Sequence, residues 1–339
     1  MATTETRPRW QQVLLFLAGM GVVVLVVWAV LQLLPKQELP RGWLRLTPTE
    51  DVMGVLEVEG EIWVGGRDGV VVLDREDGSV VREVEADVPL EYVTGMARVE
   101  EDGSLWISHM QGASRFDGDA WLTITEADGL TGGRGMAVLA GSDGAVWIGT
   151  EEGVTRCEGE RCERFTGEDG LTTEGCALLF EDGDGRVWCG NGDTAEAGVS
   201  IWEGEAWRAM AQQHRLVHPM VNAMLEGDDE ALWFGTGFSS EGGISIKDGE
   251  TWRRLTYEDG LAGGKVRYLF QDAAGVVWVG SEYNGIARLG QGEPQVYTPE
   301  GGLAGWEVMA MLQDSQGALW LGTELGVTRM SHEAWLALD

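Results

Sequence analysis

The sequence predicts an all-β fold, a seven-bladed β-propeller, preceded by one N-terminal transmembrane helix. Three observations predict it. A Trp-centred motif recurs seven times at a near-constant interval, Gly and Trp are both heavily used, and one long uncharged apolar run stands near the N-terminus.

The repeats are counted on Trp63, Trp106, Trp147, Trp188, Trp233, Trp278 and Trp320, spaced by 43, 41, 41, 45, 45 and 42 residues. An interval of roughly 40 to 50 residues suits a four-stranded blade, which cannot bury its own faces and so stacks on copies of itself. Each copy has the same syntax: an alternating apolar stretch, a turn, the Trp stretch, and two further short strands after turns, as in VRYLFQDAAGVVWVGSEYNGIARLGQGEPQVYT. Fifty-one Gly and sixteen Trp fit many short strands joined by tight turns.

The turn before the Trp reads Asp-x-x-Gly at Asp272 to Gly275 and at Asp314 to Gly317. A carboxylate caps such a turn and a Gly supplies positive φ, so these Asp residues are expected to be turn formers. The Gly two places after the Trp (Gly149, Gly235, Gly280 and Gly322) is expected where backbone meets backbone. Trp121, Trp207 and Trp252 open outer strands and are expected to cover the seams between blades.

Both ends of the propeller carry a candidate closing strand, Trp43-Leu-Arg-Leu and Trp335-Leu-Ala-Leu. Trp335 follows Trp320 by 15 residues, as Trp121 follows Trp106. That interval favours the C-terminal stretch as the last outer strand, with the Trp43 segment packed at the seam. Borrowing the N-terminal strand is the alternative.

Residues 13–34 read VLLFLAGMGVVVLVVWAVLQLL, without a charge. As a helix they cross a hydrocarbon core of about 30 Å. The run is longer than a cleaved signal allows and ends in Pro35-Lys36-Gln37-Glu38, which predicts an uncleaved signal anchor. The expected organisation is a short tail (1–12), the transmembrane helix (13–34), a linker (35–42) and the propeller (43–339). Arg7 and Arg9 precede the span and Lys36, Arg41 and Arg45 follow it, so flanking charge is nearly balanced. The expected arrangement is a single-pass protein of the cell membrane, tail inside and propeller outside.

Formal net charge is -32. Such a field repels phosphate backbones, so no nucleic-acid partner is expected, and lipid contact is expected through residues 13–34 alone. Cys157 and Cys162 enclose a short turn, and Cys176 and Cys189 fall on consecutive strands of the next repeat. Both pairs could close as disulfides in an oxidising compartment; Cys176 and Cys189 serve equally well as small buried apolar residues.

Catalytic motifs are not found. The sequence has no Gly-x-Ser-x-Gly elbow, phosphate-binding Gly-Lys-Ser/Thr loop or dinucleotide fingerprint, so no enzyme activity and no cofactor are expected. His214 and His218 lie four apart without the Cys or Glu context of a zinc site, and Asp182-Gly-Asp-Gly185 coincides with a blade turn rather than a calcium loop. No metal is expected.

The strings VMAMLQDSQGALWLGTELGVTRM and VRYLFQDAAGVVWVGSEYNGIARL, with Glu-Asp-Gly-Leu at 168–171 and 258–261, resemble the two-component regulator propeller repeat. The resemblance runs from about Val52 to the end. That repeat forms the extracytoplasmic sensor halves of bacterial hybrid histidine kinases, where the propeller senses a ligand or dimerises. The resemblance therefore implies a ligand-binding, sensory or protein-interaction module, linked to two-component signalling. The kinase, receiver and DNA-binding parts of that wiring are not found in these residues, and the membrane helix precedes the propeller here.

A ligand or protein partner is expected at one mouth of the central channel, where loops of several blades meet. The loops after the Trp strands offer His109, Glu151, Asn191, Phe238, Tyr283, Asn284 and Glu324. Trp306 lies outside both Trp registers. The alternative function is a propeller-type lyase or hydrolase, with Glu151 and Glu324 as acid and base at the mouth.

Overall fold

Period-2 stretches bounded by Asp and Gly turns can bury only one strand face each unless sheets stack. In a computed structural model, describing residues 38–159, 161–190, 198–211, 213–290 and 292–338, they stack as seven four-stranded antiparallel sheets. The inner strands are Gly54–Val58, Gly95–Arg98, Gly135–Ala140, Leu178–Glu181, Val221–Glu226, Val266–Gln271 and Val308–Gln313, in blades one to seven. Each touches the inner strand of the next blade, and Val308–Gln313 touches Gly54–Val58, so the ring closes. The propeller prediction holds.

The predicted span at 13–34 lies outside the described residues. Among those described, no helix is long and apolar enough to cross a membrane. Residues Pro40–Asp339 form one compact unit.

The core lies between blades. The blade-three Trp147 meets Trp202 and Trp207 of blade four at 5.7 Å, and Trp121 and Trp252 likewise pack into the clusters joining blades one to two and four to five. The seam-covering role expected of Trp121, Trp207 and Trp252 is what the structure displays. The repeat Gly makes the stacking possible. A Cβ on Gly280 would stand 2.5 Å from the Val308 carbonyl of the next blade, one on Gly235 2.6 Å from Val266 Cγ1, and one on Gly149 would strike the Cys176 carbonyl.

An acid or amide and the Asp beside it divide the work at the opposite end of the blade. Asp272 accepts backbone N–H bonds from Ala274 and Val276 within its turn and the indole N–H of Trp278 at 2.8 Å. Asp182 and Asp314 hold Trp188 and Trp320 alike. The preceding side chain reaches the previous blade: Gln313 accepts from Ala273 N–H, Gln271 from Asp228 N–H, and Glu181 from Ser142 N–H. One dipeptide thus fastens its own Trp and the neighbouring sheet.

The expected closing strand is overturned. Trp43–Leu46 pairs antiparallel with Gly326–Met330 in the register Trp43 to Met330, so the N-terminal strand completes blade seven. Trp335 lies instead in a short helix, His332–Leu336, whose N-cap Ser331 accepts the Ala334 N–H. A Ser N-cap followed by Glu, Ala and Leu favours that helix over a strand.

Candidate functional site

In blades three, five, six and seven the inner strand slips register just after its start, between Gly135 and Ala137, Val221 and Ala223, Val266 and Tyr268, and Val308 and Ala310. The extra residue of each bulge, Met136, Asn222, Arg267 or Met309, points into the channel. Met53, Thr94 and Ala177 come from the corresponding place in the other blades. These seven side chains line a cavity of about 270 Å³, overlapping a second of about 290 Å³ deeper along the same strands. One side of the ring is thioether (Met309, Met53, Met136), and the other carries an amide and a guanidinium.

Charge gathers at the mouth. Lys265 pairs with Glu282 at 2.8 Å and Arg267 with Glu307 at 2.7 Å, each pair largely shielded. Burial raises the Glu307 carboxyl above its ordinary value, with Glu282 and Glu324 adding to the shift and Arg267 and Lys265 opposing it. Arg134 lines the cavity as an exposed residue without an ion pair among the described residues.

The two faces differ in apolar exposure. The turn after each Trp strand and the segment entering each inner strand lie on one face. There Tyr92, Met110, Phe238, Tyr283, Trp306 and Leu325 are exposed, as is Tyr257 on the short 3-10 turn Tyr257–Asp259. The other exposed large apolar side chains among the described residues lie on outer strands or in His332–Leu336.

The predicted site residues separate into distinct roles. Phe238 and Tyr283 are 56% and 69% exposed on the mouth face, with Asn284 beside Tyr283. Glu324 accepts the backbone N–H groups of Trp306 at 2.8 Å and Glu307 at 2.9 Å, and Glu151 accepts that of Arg134. The two carboxylates belong to blades three and seven and serve as caps for the segments entering their own inner strands. His109 is buried: its Nε2 stands 2.8 Å from Ser114 Oγ, and its Nδ1 accepts the Gln111 N–H. It holds the place of Thr150, Ser281 and Thr323, one residue short of Glu151, and one step along a strand turns a side chain inward. Asn191 lies outside the described residues. The structure joins Cys157 to Cys162 and Cys176 to Cys189, leaving no free Cys.

His218 accepts the Met220 N–H, and His214 sits in the 3-10 turn Gln213–Arg215. Among the described residues no group of three or more His, Cys, Asp or Glu could hold a metal ion. Asp182 bonds Asp184 N–H, Arg186 N–H and Trp188 and is a turn former.

The bulge residues were missed from sequence. Their signal is clearest in blade six, where Val266 and Leu269 are buried three apart with Arg267 and Tyr268 half-buried between them.

The fold and mouth together define a seven-bladed propeller with a small cavity ringed by all blades and an apolar face around it. Residues 260–283 and 303–324 match the two component regulator propeller family. Among solved structures it resembles the extracellular domain of a putative hybrid two component system from B. thetaiotaomicron, with TM-score 0.73 and 16% identity over 88% of this chain and 42% of that one. Its length is thus less than half of that relative. It also resembles a catalytically inactive virginiamycin B lyase from Staphylococcus aureus with quinupristin (TM-score 0.65, 14% identity, 85% and 98% covered). A third likeness is to YCF48 bound to D1 peptide (TM-score 0.63, 15% identity, 87% and 99% covered). No curated protein matches the sequence.

Proposed function

We propose that this chain is a membrane-anchored, extracytoplasmic propeller without catalysis of its own. It acts as a ligand-binding, sensory or protein-interaction module linked to two-component signalling and meets its partner at the channel mouth. The observation that carries this reading is the concentration of exposed aromatic and aliphatic side chains on the mouth face. The repeat at 260–283 and 303–324 and the likeness to an extracellular sensor domain support it, as do two disulfides, which persist in oxidising compartments.

Against a lyase or hydrolase at the mouth stands the use of Glu151 and Glu324 as backbone caps in separate blades. The likeness to virginiamycin B lyase is one of fold.

A photo-crosslinking residue at position 283, in the full chain in intact cells, tests the reading. A specific adduct at 283 that is missing from a control position on the opposite face, 316, is expected. Protease added outside should digest the propeller of spheroplasts. No adduct at 283, or full protection of the propeller, would sink the reading.

A further inference from the structure

We propose that the mouth face over blades five to seven takes an extended basic peptide segment of a partner protein, its Arg or Lys side chains over Tyr283 and Trp306 and its apolar ones against Phe238 and Leu325. This rests on the docking reading above and adds the chemistry of the occupant.

The surface is continuous across three blades. The Ser240 carbonyl, in the turn that carries Phe238, lies against Gly264, and Asn284 Oδ1 would stand 2.7 Å from a Cβ on Gly263. Gly285, in the turn that carries Tyr283, donates its N–H to the Trp306 carbonyl at 2.7 Å. Glu324, next to Leu325, then fixes the Trp306 and Glu307 backbone. Glycine at 263, 264 and 305 is what lets these turns press together, because a Cβ at each would collide with its neighbour.

The surface is also preformed. Ser239 and Tyr283 hold left-handed backbone at φ 54° and 65°, which L-residues keep only where surrounding bonds impose it. Little ordering is left to be done on binding. A footprint running over successive turns fits an extended chain better than a compact small molecule.

Charge selects the partner's sign. Beside the patch two cations are spent internally: Lys265 and Glu282 are each 13% exposed as a pair, and Arg267 is paired with Glu307, while the exposed Arg134 belongs to blade three. Lys265 Nζ lies 6.0 Å from the Phe238 ring centre, so the face already holds one cation against an aromatic ring. Glu241 and Glu258 remain exposed around the patch, on a chain of net charge -32. A negative rim around aromatic faces attracts cationic side chains and offers them ring surface.

The test uses the full chain in detergent and three labelled octapeptides, alternating Arg-Leu, Glu-Leu and Arg-Gly, followed by fluorescence anisotropy. Arg-Leu should bind, Arg-Gly more weakly and Glu-Leu not at all. Tyr283→Ser and Trp306→Ser should each weaken Arg-Leu binding by about tenfold. Leu122→Ser, on the exposed outer strand of blade two, should leave it unchanged, and all three variants should melt with the wild type. Equal binding by every variant would reduce the effect to diffuse charge attraction and overturn the proposal, as would Glu-Leu binding as well as Arg-Leu. Phosphatidylcholine vesicles that bind in the peptide's place, with the same dependence on Tyr283 and Trp306, would overturn it too. If no peptide binds while position 283 still crosslinks to a partner in cells, the basic-peptide chemistry falls and the docking reading stands.

Discussion

Asp272 holds Trp278 by a 2.8 Å bond from the indole N–H, with the carboxylate 3% exposed and its other oxygen taken by two turn N–H groups. Removing the acceptor strands three donors, two of them in the turn. Asp272→Ala should therefore cost about 3 kcal/mol or more, since each unsatisfied buried group costs roughly 1–3 kcal/mol. Asp272→Asn, which keeps one acceptor oxygen, should cost less. Urea unfolding of the three proteins checks the order; equal stability of Ala and Asn variants would mean that the bonds contribute little.

Blade five supplies the converse case. Gly227 stands where Asp272 stands, its turn closes with the same backbone bonds, and the Trp233 indole N–H is buried without a partner. A Cβ on Gly227 would meet Asp229 Oδ1 at 2.7 Å, so the side chain must be cleared first. Gly227→Asp combined with Asp229→Ala should stabilise by about 1 kcal/mol through the new indole bond, while Gly227→Asp alone should destabilise. Thermal melts of single and double variants decide it.

Gly280 gives a direct test of blade stacking. Its added Cβ would face a carbonyl in Val308, at 2.5 Å, and a backbone atom cannot swing away as a side-chain tip can. Gly280→Ala should cost roughly 1–3 kcal/mol or more. Gly292, with open space around it, serves as the control, and Gly292→Ala should be near neutral in the same melts.

Ring closure predicts different consequences for two buried Trp residues. Trp43 is 4% exposed in the strand that completes blade seven, and Trp335 is 2% exposed and donates its indole N–H to Gly317 at 2.6 Å. Either change to Ala should cost about 3–5 kcal/mol. Only Trp43→Ala should speed amide exchange along Gly326–Met330, because Trp43–Leu46 pairs with one edge of that strand and the helix His332–Leu336 does not. Faster exchange there in Trp335→Ala and not in Trp43→Ala would restore closure by the C-terminal end.

What could be read in the sequence follows from what repeats. Trp278 and Gly280 recur because every seam needs the same bulk and the same close approach, so blade number and stacking surfaces were legible. Trp43 and Trp335 carry the same local pattern, and pairing is a long-range choice that local pattern does not encode; only the Ser331 cap argued for a helix. The channel ring was hidden because a bulge adds one residue without a turn signal, leaving Arg267 and Met309 looking like ordinary alternating positions. His109 and Glu151 were grouped as one loop position, and the single-residue difference between them separates a buried imidazole from an exposed carboxylate.

That imidazole predicts a pH dependence. Burial lowers the His109 pKa from 6.5 to about 4, with Asp87 opposing the shift. Its Nε2 faces Ser114 Oγ, which meets Thr123 Oγ1 at 2.7 Å, and Thr123 donates to Asp87 at 2.9 Å, so the neutral ring is fully engaged. Above about pH 6.5 both folded and unfolded chains hold the ring neutral, and the residue adds no slope. Between about 6.5 and 4 the unfolded chain takes up a proton that the folded one refuses, so stability falls as pH falls; below about 4 both are protonated and the loss levels off. At about 1.4 kcal/mol per unit the full loss is of order 3 kcal/mol. His109→Thr, the residue found at this place in blades three, five and seven, should shift stability by a constant and remove this part of the slope. Unfolding free energies of both proteins from pH 7 to 4 measure it. A wild-type-minus-variant difference that stays flat across that range would mean the ring is protonated in the folded protein, with the Ser114 contact rearranged to accept the charge.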